Sequence, residues 1–336
     1  MIIDEYLKQQ KTFIIAEVGV NHEGDFGLAK EMTHAAIECD VDAVKYQNFN
    51  ADYLVTKDLL PRPHLRHLYK SQYERFRSLE FSDEQYIELA QIVEKGGKVF
   101  MSTPSDPKGL DFIDGLSPVI KLGSDDFTNL QLVRHAVKKN KKMILSTGLA
   151  TIDEIDKVLS EVPRKNLILL HCVSKYPTLA KDVDLMAIPF LRKRFNVNIG
   201  YSDHSIGTIA CVSSICFGVC VIEKHFTLDK SKPGDHKLSA DPVDMKRIVS
   251  EVRDLEKMLK GVVRKEPITD DYDYIWSRKS FVAMENIPRG VEIKEDMIFP
   301  LRPGAGIPPL EICKILGKRT LHEIGRGSKL SYDDFI

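Results

Sequence analysis

The chain has 336 residues, 43% apolar and 29% charged, enough to bury one large core and a smaller one. Its 48 basic residues offset 49 acidic ones, which excludes the global field of a nucleic-acid or membrane-surface binder and leaves any basic site local. The six cysteines show no CxxC or zinc-finger spacing, and three lie in the apolar stretch CVSSICFGVC, so the expectation is a reduced, cytoplasmic protein. MIIDEYLKQQK has no basic start followed by an apolar core, so no signal peptide is expected, and no apolar segment reaches membrane-spanning length.

Short β-branched runs recur along the chain, each with a polar residue at or near its carboxyl end. They are FIIAEV (13–18), DAVKYQ (42–47), KVFMST (98–103), VIKLGS (119–124), MILSTG (143–148), LILLHC (167–172), NIGYSD (198–203) and CVIEKHF (220–226). Between them GLAKEMTHAAIEC, DEQYIELAQIVEKG, NLQLVRHAVKKN, TIDEIDKVLSEV and DLMAIPFLRKRF carry the 3.6-residue apolar spacing of amphipathic helices. Eight such units in roughly 250 residues predict a (β/α)8 TIM barrel rather than a doubly wound sheet. One connection, 48–82, is too long for a simple turn and reads either as a lid or as a helical excursion. A helix at 242–261 closes the predicted barrel domain, 1–262. A polar linker (263–276) follows, and Gly/Pro turns such as IPRG and RPGAG break 277–336 into a small mixed domain.

Active sites of such barrels lie at the carboxyl ends of the strands. The residues there are Glu17, Lys45 with Gln47, Ser102 with Thr103, Lys121 with Ser124, Ser146, His171, Ser202 with Asp203 and His204, and Glu223 with His225. So many polar groups at one end point to a shared polar ligand, because buried polar groups are costly unless matched. Lys45 and Lys121, read as neighbouring strand ends, imply an anion cradle, with a Schiff-base lysine as the alternative. His204 and His225, closing strands seven and eight, suit a divalent metal with open coordination positions.

The segments IIAEVGVNHEGD (14–25), AVKYQ (43–47), FMSTP (100–104), IKLGSDDFTN (120–129), LLHCVSKYPT (169–178), GYSDHSIG (200–207) and VIEKHFTLDKSKPGDH (221–236) resemble the sialic acid synthase family. The C-terminal part, with RKS at 278–280 and RPG at 302–304, resembles that family's antifreeze-like SAF (β-clip) domain. The resemblance implies a phosphoenolpyruvate-dependent synthase acting on an N-acylated amino-sugar. Phosphoenolpyruvate would be held by Lys45, Thr103, Lys121, Ser124, Ser146, Tyr176 and Ser202. His204 and His225 would hold manganese, with magnesium or cobalt as alternatives. Glu17, Gln47 and Asp235 would face the sugar, Asp126 would orient or deprotonate water, and Arg302 would reach the site within a domain-swapped homodimer. Glu17, Lys45, Lys121 and Asp126 are thus the expected catalytic set, with no nucleic-acid or membrane partner. Three departures touch the substrate end: GSDD replaces GSGE, Ser174 replaces Asn, and KPGDH lacks one residue of PGPDH. A Schiff-base aldolase and a non-catalytic polysaccharide or spore-coat protein are the alternatives.

Overall fold

The computed structural model describes residues 2–61, 63–260, 269 and 272–336. It divides into two compact units, Met1–Lys260 and Gly261–Ile336.

The first unit contains eight parallel strands: β1 (Phe13–Gly19), β2 (Ala43–Asn48), β3 (Val99–Pro104), β4 (Val119–Leu122), β5 (Lys142–Ser146), β6 (Leu167–Cys172), β7 (Asn198–Asp203) and β8 (Val221–His225). They are hydrogen-bonded in the order β3-β2-β1-β8-β7-β6-β5-β4. β3 and β4 lie side by side across the remaining seam, so the sheet is a nearly closed barrel. Each strand falls within three residues of the run that predicted it, because continuous apolar runs are what a strand buried on both faces requires.

Alternation along the strands sorts the core into two layers. Phe13, Ile15, Ala43, Val99, Met101, Val119, Ile144, Ile168, Leu170 and Val221 face inward and fill the barrel. Ile3, from the helix Ile2–Lys8, packs among them and stoppers the amino end. The intervening residues, such as Ile14, Val44, Phe100, Leu145, Leu169 and Ile222, pack outward against the helices. Each fully buried large side chain contributes on the order of 1.5–3 kcal/mol relative to exposure.

The last barrel helix, Pro242–Leu259, is fastened to the first strand through Asp42. That carboxylate accepts from the Tyr6 hydroxyl at 2.6 Å, from the Ile14 backbone at 2.7 Å and from Arg253 at 2.7 Å. Arg253 also pairs with Glu256, which accepts from the Thr12 backbone at 2.5 Å. The excursion after β2 is helical in part, with helices at Ala51–Leu54 and Gln72–Arg77.

Part of the expected linker, 263–268 with 270 and 271, lies outside the described residues, as does the expected barrel boundary at 262. At the linker's far end Tyr272–Ser277 is a helix. In the second unit β9 (Ser280–Ala283) pairs antiparallel with β10 (Ile298–Leu301). Around them Phe281, Ile287, Ile293, Ile307, Ile315, Ile324, Leu330 and Phe335 form a core of its own.

Gly200 faces the barrel interior, where an added Cβ would stand 2.5 Å from Leu170 Cδ2 and 2.7 Å from the Val221 carbonyl oxygen. The backbone oxygen cannot step aside, so Gly200→Ala is expected to destabilise the barrel by about 1–3 kcal/mol in urea unfolding. Unchanged stability would contradict the packing described for this layer.

Candidate active site

Above the apolar filling, the inward positions become polar. Glu17, Gln47, Lys45, Thr103, Lys121, Ser146, Ser202, Glu223 and His225 line a cleft of about 360 Å³ at the carboxyl ends of the strands. At its floor two buried lysines meet two buried carboxylates. Lys45 Nζ lies 2.5 Å from Glu17 Oε2, 3.5 Å from Glu223 Oε2 and 3.0 Å from Thr103 Oγ1. Lys121 Nζ donates to Ser146 Oγ at 2.8 Å and to the Leu122 carbonyl at 2.9 Å, and stands 3.9 Å from the same Glu223 oxygen. Glu223 Oε1 accepts from Ser202 Oγ at 3.0 Å, and Glu17 Oε1 from Gln47 at 3.2 Å. The chain leaves Glu17 through Gly19 at φ +57, where a Cβ would sit 3.0 Å from Glu17 Oε1.

Burial and pairing separate the charge states. Burial pushes the Glu17 carboxyl up to about 7, with repulsion from Glu223 adding to it and the close Lys45 contact opposing it. Burial also acts to raise Glu223, but there Lys121 and Lys45 win and hold the carboxyl down at about 2. Burial works against the charge of both lysines. It is outweighed at Lys45 by the two carboxylates, so that ammonium is raised, while at Lys121 it prevails and the ammonium is lowered. On the cleft wall Asp126, hydrogen-bonded by Asn129 at 2.9 Å, is raised by burial to about 6.

His204 and His225 come together with ring centroids 5.5 Å apart, and Tyr176 packs on His204 at 4.1 Å. Burial lowers both imidazoles, His225 to about 4, so near neutral pH each is uncharged with a lone pair to offer. The 2.9 Å contact of His204 Nδ1 with the Val173 carbonyl places the proton on Nδ1 and leaves Nε2 as the acceptor. His225 Nδ1 is buried with no hydrogen-bond partner. Two neutral imidazoles of this kind fit a divalent cation that takes its remaining ligands from substrate or water; among the described residues no cluster of three or more acidic, His or Cys groups could hold a metal.

Every barrel residue to which the family resemblance assigns a role lines this one cleft, including Ser124, Tyr176, Asp126 and Asp235. Arg302 belongs to the second unit, where its guanidinium sits 5.0 Å from the Trp276 ring centroid. Other expectations need correction. Lys45 and Lys121 are not on neighbouring strands, since β3 lies between β2 and β4; Glu223 spans the gap between them. Three strand-end residues turn away from the cleft. His171 contacts the Val183 carbonyl, Asp203 pairs with Lys224, and Ser102 alternates outward beside inward-facing Thr103. Their outward face follows from the period of two once the inward face of a neighbouring core residue is fixed. Glu223 is visible in the sequence only as one more polar strand end, and its role comes from two lysines that lie far away in the chain. The excursion after β2 adds Phe49, Leu54, Leu65, Gln72, Arg75 and Phe76 to the cleft wall.

Comparison with known proteins gives the class. The NeuB family model matches residues 32–264 and the SAF domain model residues 278–336, and the chain belongs to the NeuB family. It is 37% identical to the N,N'-diacetyllegionaminic acid synthase of Legionella pneumophila, over 96% of this chain and 94% of that protein. It is 41% identical to an uncharacterized protein of Methanocaldococcus jannaschii, over 99% of this chain and 97% of that protein. Among solved structures it resembles the N-acetylneuraminic acid (sialic acid) synthetase of Leptospira borgpetersenii, crystallised with citrate, at TM-score 0.68 and 32% identity, covering 76% of this chain and 87% of that one. No helix among the described residues is long and apolar enough to cross a membrane. The chain is thus an enzyme of the NeuB type.

A carboxyl whose folded pKa is raised favours folding below that pKa, and the contribution declines as pH rises past the unfolded value. Wild type is therefore expected to lose up to about 3 kcal/mol of stability relative to Glu17→Gln between pH 4.5 and 7. Urea unfolding at each pH measures this, and a pH-independent difference would contradict the burial of an unionised Glu17.

Proposed function

We propose that the chain is a nonulosonic acid synthase that condenses phosphoenolpyruvate with an N-acylated amino-sugar, N-acetylmannosamine or a 2,4-diacetamido-trideoxyhexose, and releases phosphate. The observation that carries this reading is Glu223 held between Lys45 and Lys121 at the floor of the cleft beside two neutral imidazoles. The synthase activities of the Legionella and Leptospira relatives support it.

In this reading Lys45 and Lys121 bind the carboxylate and phosphate of phosphoenolpyruvate, and Thr103, Ser124, Ser146, Tyr176 and Ser202 supply hydroxyl donors. Glu17, Gln47 and Asp235 orient the open-chain sugar, and Glu17, with its pKa raised to about 7 and so close to half protonated at neutral pH, can donate a hydrogen bond to it in its protonated form. His204 and His225 would hold a divalent cation, manganese first, which when bound polarises the sugar aldehyde. The alkene carbon of phosphoenolpyruvate then forms the new C–C bond to the aldehyde carbon. The C=O π pair moves onto the aldehyde oxygen, which takes up a proton to become a hydroxyl, and a cationic centre is left at C2 of phosphoenolpyruvate. Asp126, raised to about 6 and so mostly ionised at neutral pH, takes the proton of the water that adds there. The tetrahedral adduct collapses with C–O cleavage, giving the keto acid and phosphate. Arg302, from a partner's C-terminal domain in a homodimer, completes the acyl-sugar site.

One observation favours a second reading. Burial lowers Lys121, as an amine that forms a Schiff base requires. Borohydride trapping of a pyruvate adduct on Lys121 would support that aldolase and overturn the synthase.

Purified protein with phosphoenolpyruvate and Mn2+ is expected to release phosphate with at least one of the named amino-sugars and to stop when the metal is chelated. Phosphate release from none of them would overturn the proposal. Lys121→Ala and Lys45→Ala are each expected to lower kcat/KM by roughly 10²–10³-fold, and variants as active as wild type would remove the anion cradle from the mechanism.

A further inference from the structure

The metal reading of His204 and His225, on which this inference rests, leaves unexplained the residues that precede them. Asp203 and Lys224 are register partners, the last pair of the β7–β8 ladder. They lie on the sheet face opposite the cleft, with side chains 0% exposed and Lys224 Nζ 2.7 Å from Asp203 Oδ2. Asp203 Oδ1 accepts from the Tyr201 hydroxyl and from the Ser205 backbone N–H, each at 2.9 Å. Lys224 also donates to the Ser205 carbonyl, and the Cys211 thiol, from the helix Ile209–Ser214, lies 3.3 Å from Asp203 Oδ2.

His204 lies one residue past the end of β7, and His225 is the last residue of β8, paired with Glu17 of β1. Both are one residue past the last β7–β8 ladder pair, where pairing between those two strands no longer sets their separation. The ion pair takes over that task. It ties Lys224, and so the residue before His225, to both peptide groups of Ser205, the residue after His204. The loop after β6 then holds His204 from the other side, since Thr178 N–H donates to its carbonyl and its ring bonds the Val173 carbonyl, each at 2.9 Å. A buried ion pair is poor value for stability alone, because a well-packed apolar pair of equal volume serves as well or better. What apolar side chains cannot supply is directional hydrogen bonds to a loop.

We infer that the Asp203–Lys224 ion pair is a positioning device that fixes the separation of His204 and His225 for a divalent cation, acting from the back of the sheet. Neither residue touches the cleft, so neither is catalytic.

The test is titration of metal-free protein with MnCl2, followed by calorimetry, in wild type, Lys224→Arg, the double variant Asp203→Asn/Lys224→Met and Tyr201→Phe. The double variant removes both charges and leaves no orphaned ion. It is expected to keep the wild-type circular dichroism spectrum and to bind Mn2+ about 10–100-fold more weakly, the usual effect of losing a ligand's supporting partner. Its KM for phosphoenolpyruvate is expected to stay within about twofold. Lys224→Arg, which preserves the pair, is expected to stay within about threefold of wild-type Mn2+ affinity. Tyr201→Phe removes one hydrogen bond from Asp203 and carries the test if the double variant does not fold, with an expected weakening of about 3–10-fold. Wild-type Mn2+ affinity in the folded double variant, or in Tyr201→Phe where the double variant does not fold, overturns the inference, as does an equal loss of Mn2+ and phosphoenolpyruvate affinity. A wild type that binds no Mn2+ overturns the metal reading and this inference with it.

Discussion

Placing two lysines inside a barrel is possible only if something nearby carries the opposite charge. Glu17 and Glu223 do so, within 2.5 Å and 3.5 Å of Lys45, and Glu223 extends to Lys121 at 3.9 Å. Desolvating an isolated charge costs several kcal/mol, so the four groups stand or fall together. Their compromise is asymmetric. Glu223 stays ionised between the two ammonium groups, while Glu17 is pushed toward its protonated form. An anion entering the cleft floor between Lys45 and Lys121 therefore meets donors already in place. Preorganised charge of this kind needs no rearrangement when the ligand arrives.

The rest of the first unit holds that floor still. Below it, a solid plug of inward side chains, closed by Ile3, denies water a route through the barrel. Around it, Asp42 and Arg253 bind the last helix to the first strand, so the ring closes on itself. Above it, the two histidines are aimed through groups that never face the cleft: the Val173 carbonyl for His204, and Asp203 with Lys224 behind both. The excursion after β2 supplies a wall of mixed character, Phe49, Leu65 and Phe76 alongside Gln72 and Arg75, on the side away from the charged floor.

The strands were legible because a strand buried on both faces must be largely apolar, and Phe13–Gly19 through Val221–His225 carry apolar runs beside the polar residues of the cleft. Cleft residues on inward positions were legible for the same reason, since a polar side chain at a strand's carboxyl end has few other uses. What was not legible depends on neighbours in space. The strand-end list mixed Thr103 with Ser102 and Ser202 with Asp203, because position alone does not say which face a residue takes until the register of a known core residue is fixed. Lys45 and Lys121 looked adjacent because each ends a run, yet β3 separates them. Glu223 drew no role because the charges that demand it come from residues 100 and more positions away. Composition marked 263–276 as a polar linker without specifying its local structure, and at its far end YDYIWS forms the short helix Tyr272–Ser277.

The central claim is that this cleft adds phosphoenolpyruvate to a sugar through attack of water at C2 and release of phosphate by C–O cleavage. The most direct test is turnover of phosphoenolpyruvate labelled with 18O at the bridging oxygen, with mass analysis of both products. The account predicts the label in the released phosphate and none in the keto acid. Label retained in the keto acid, marking P–O cleavage, would contradict it.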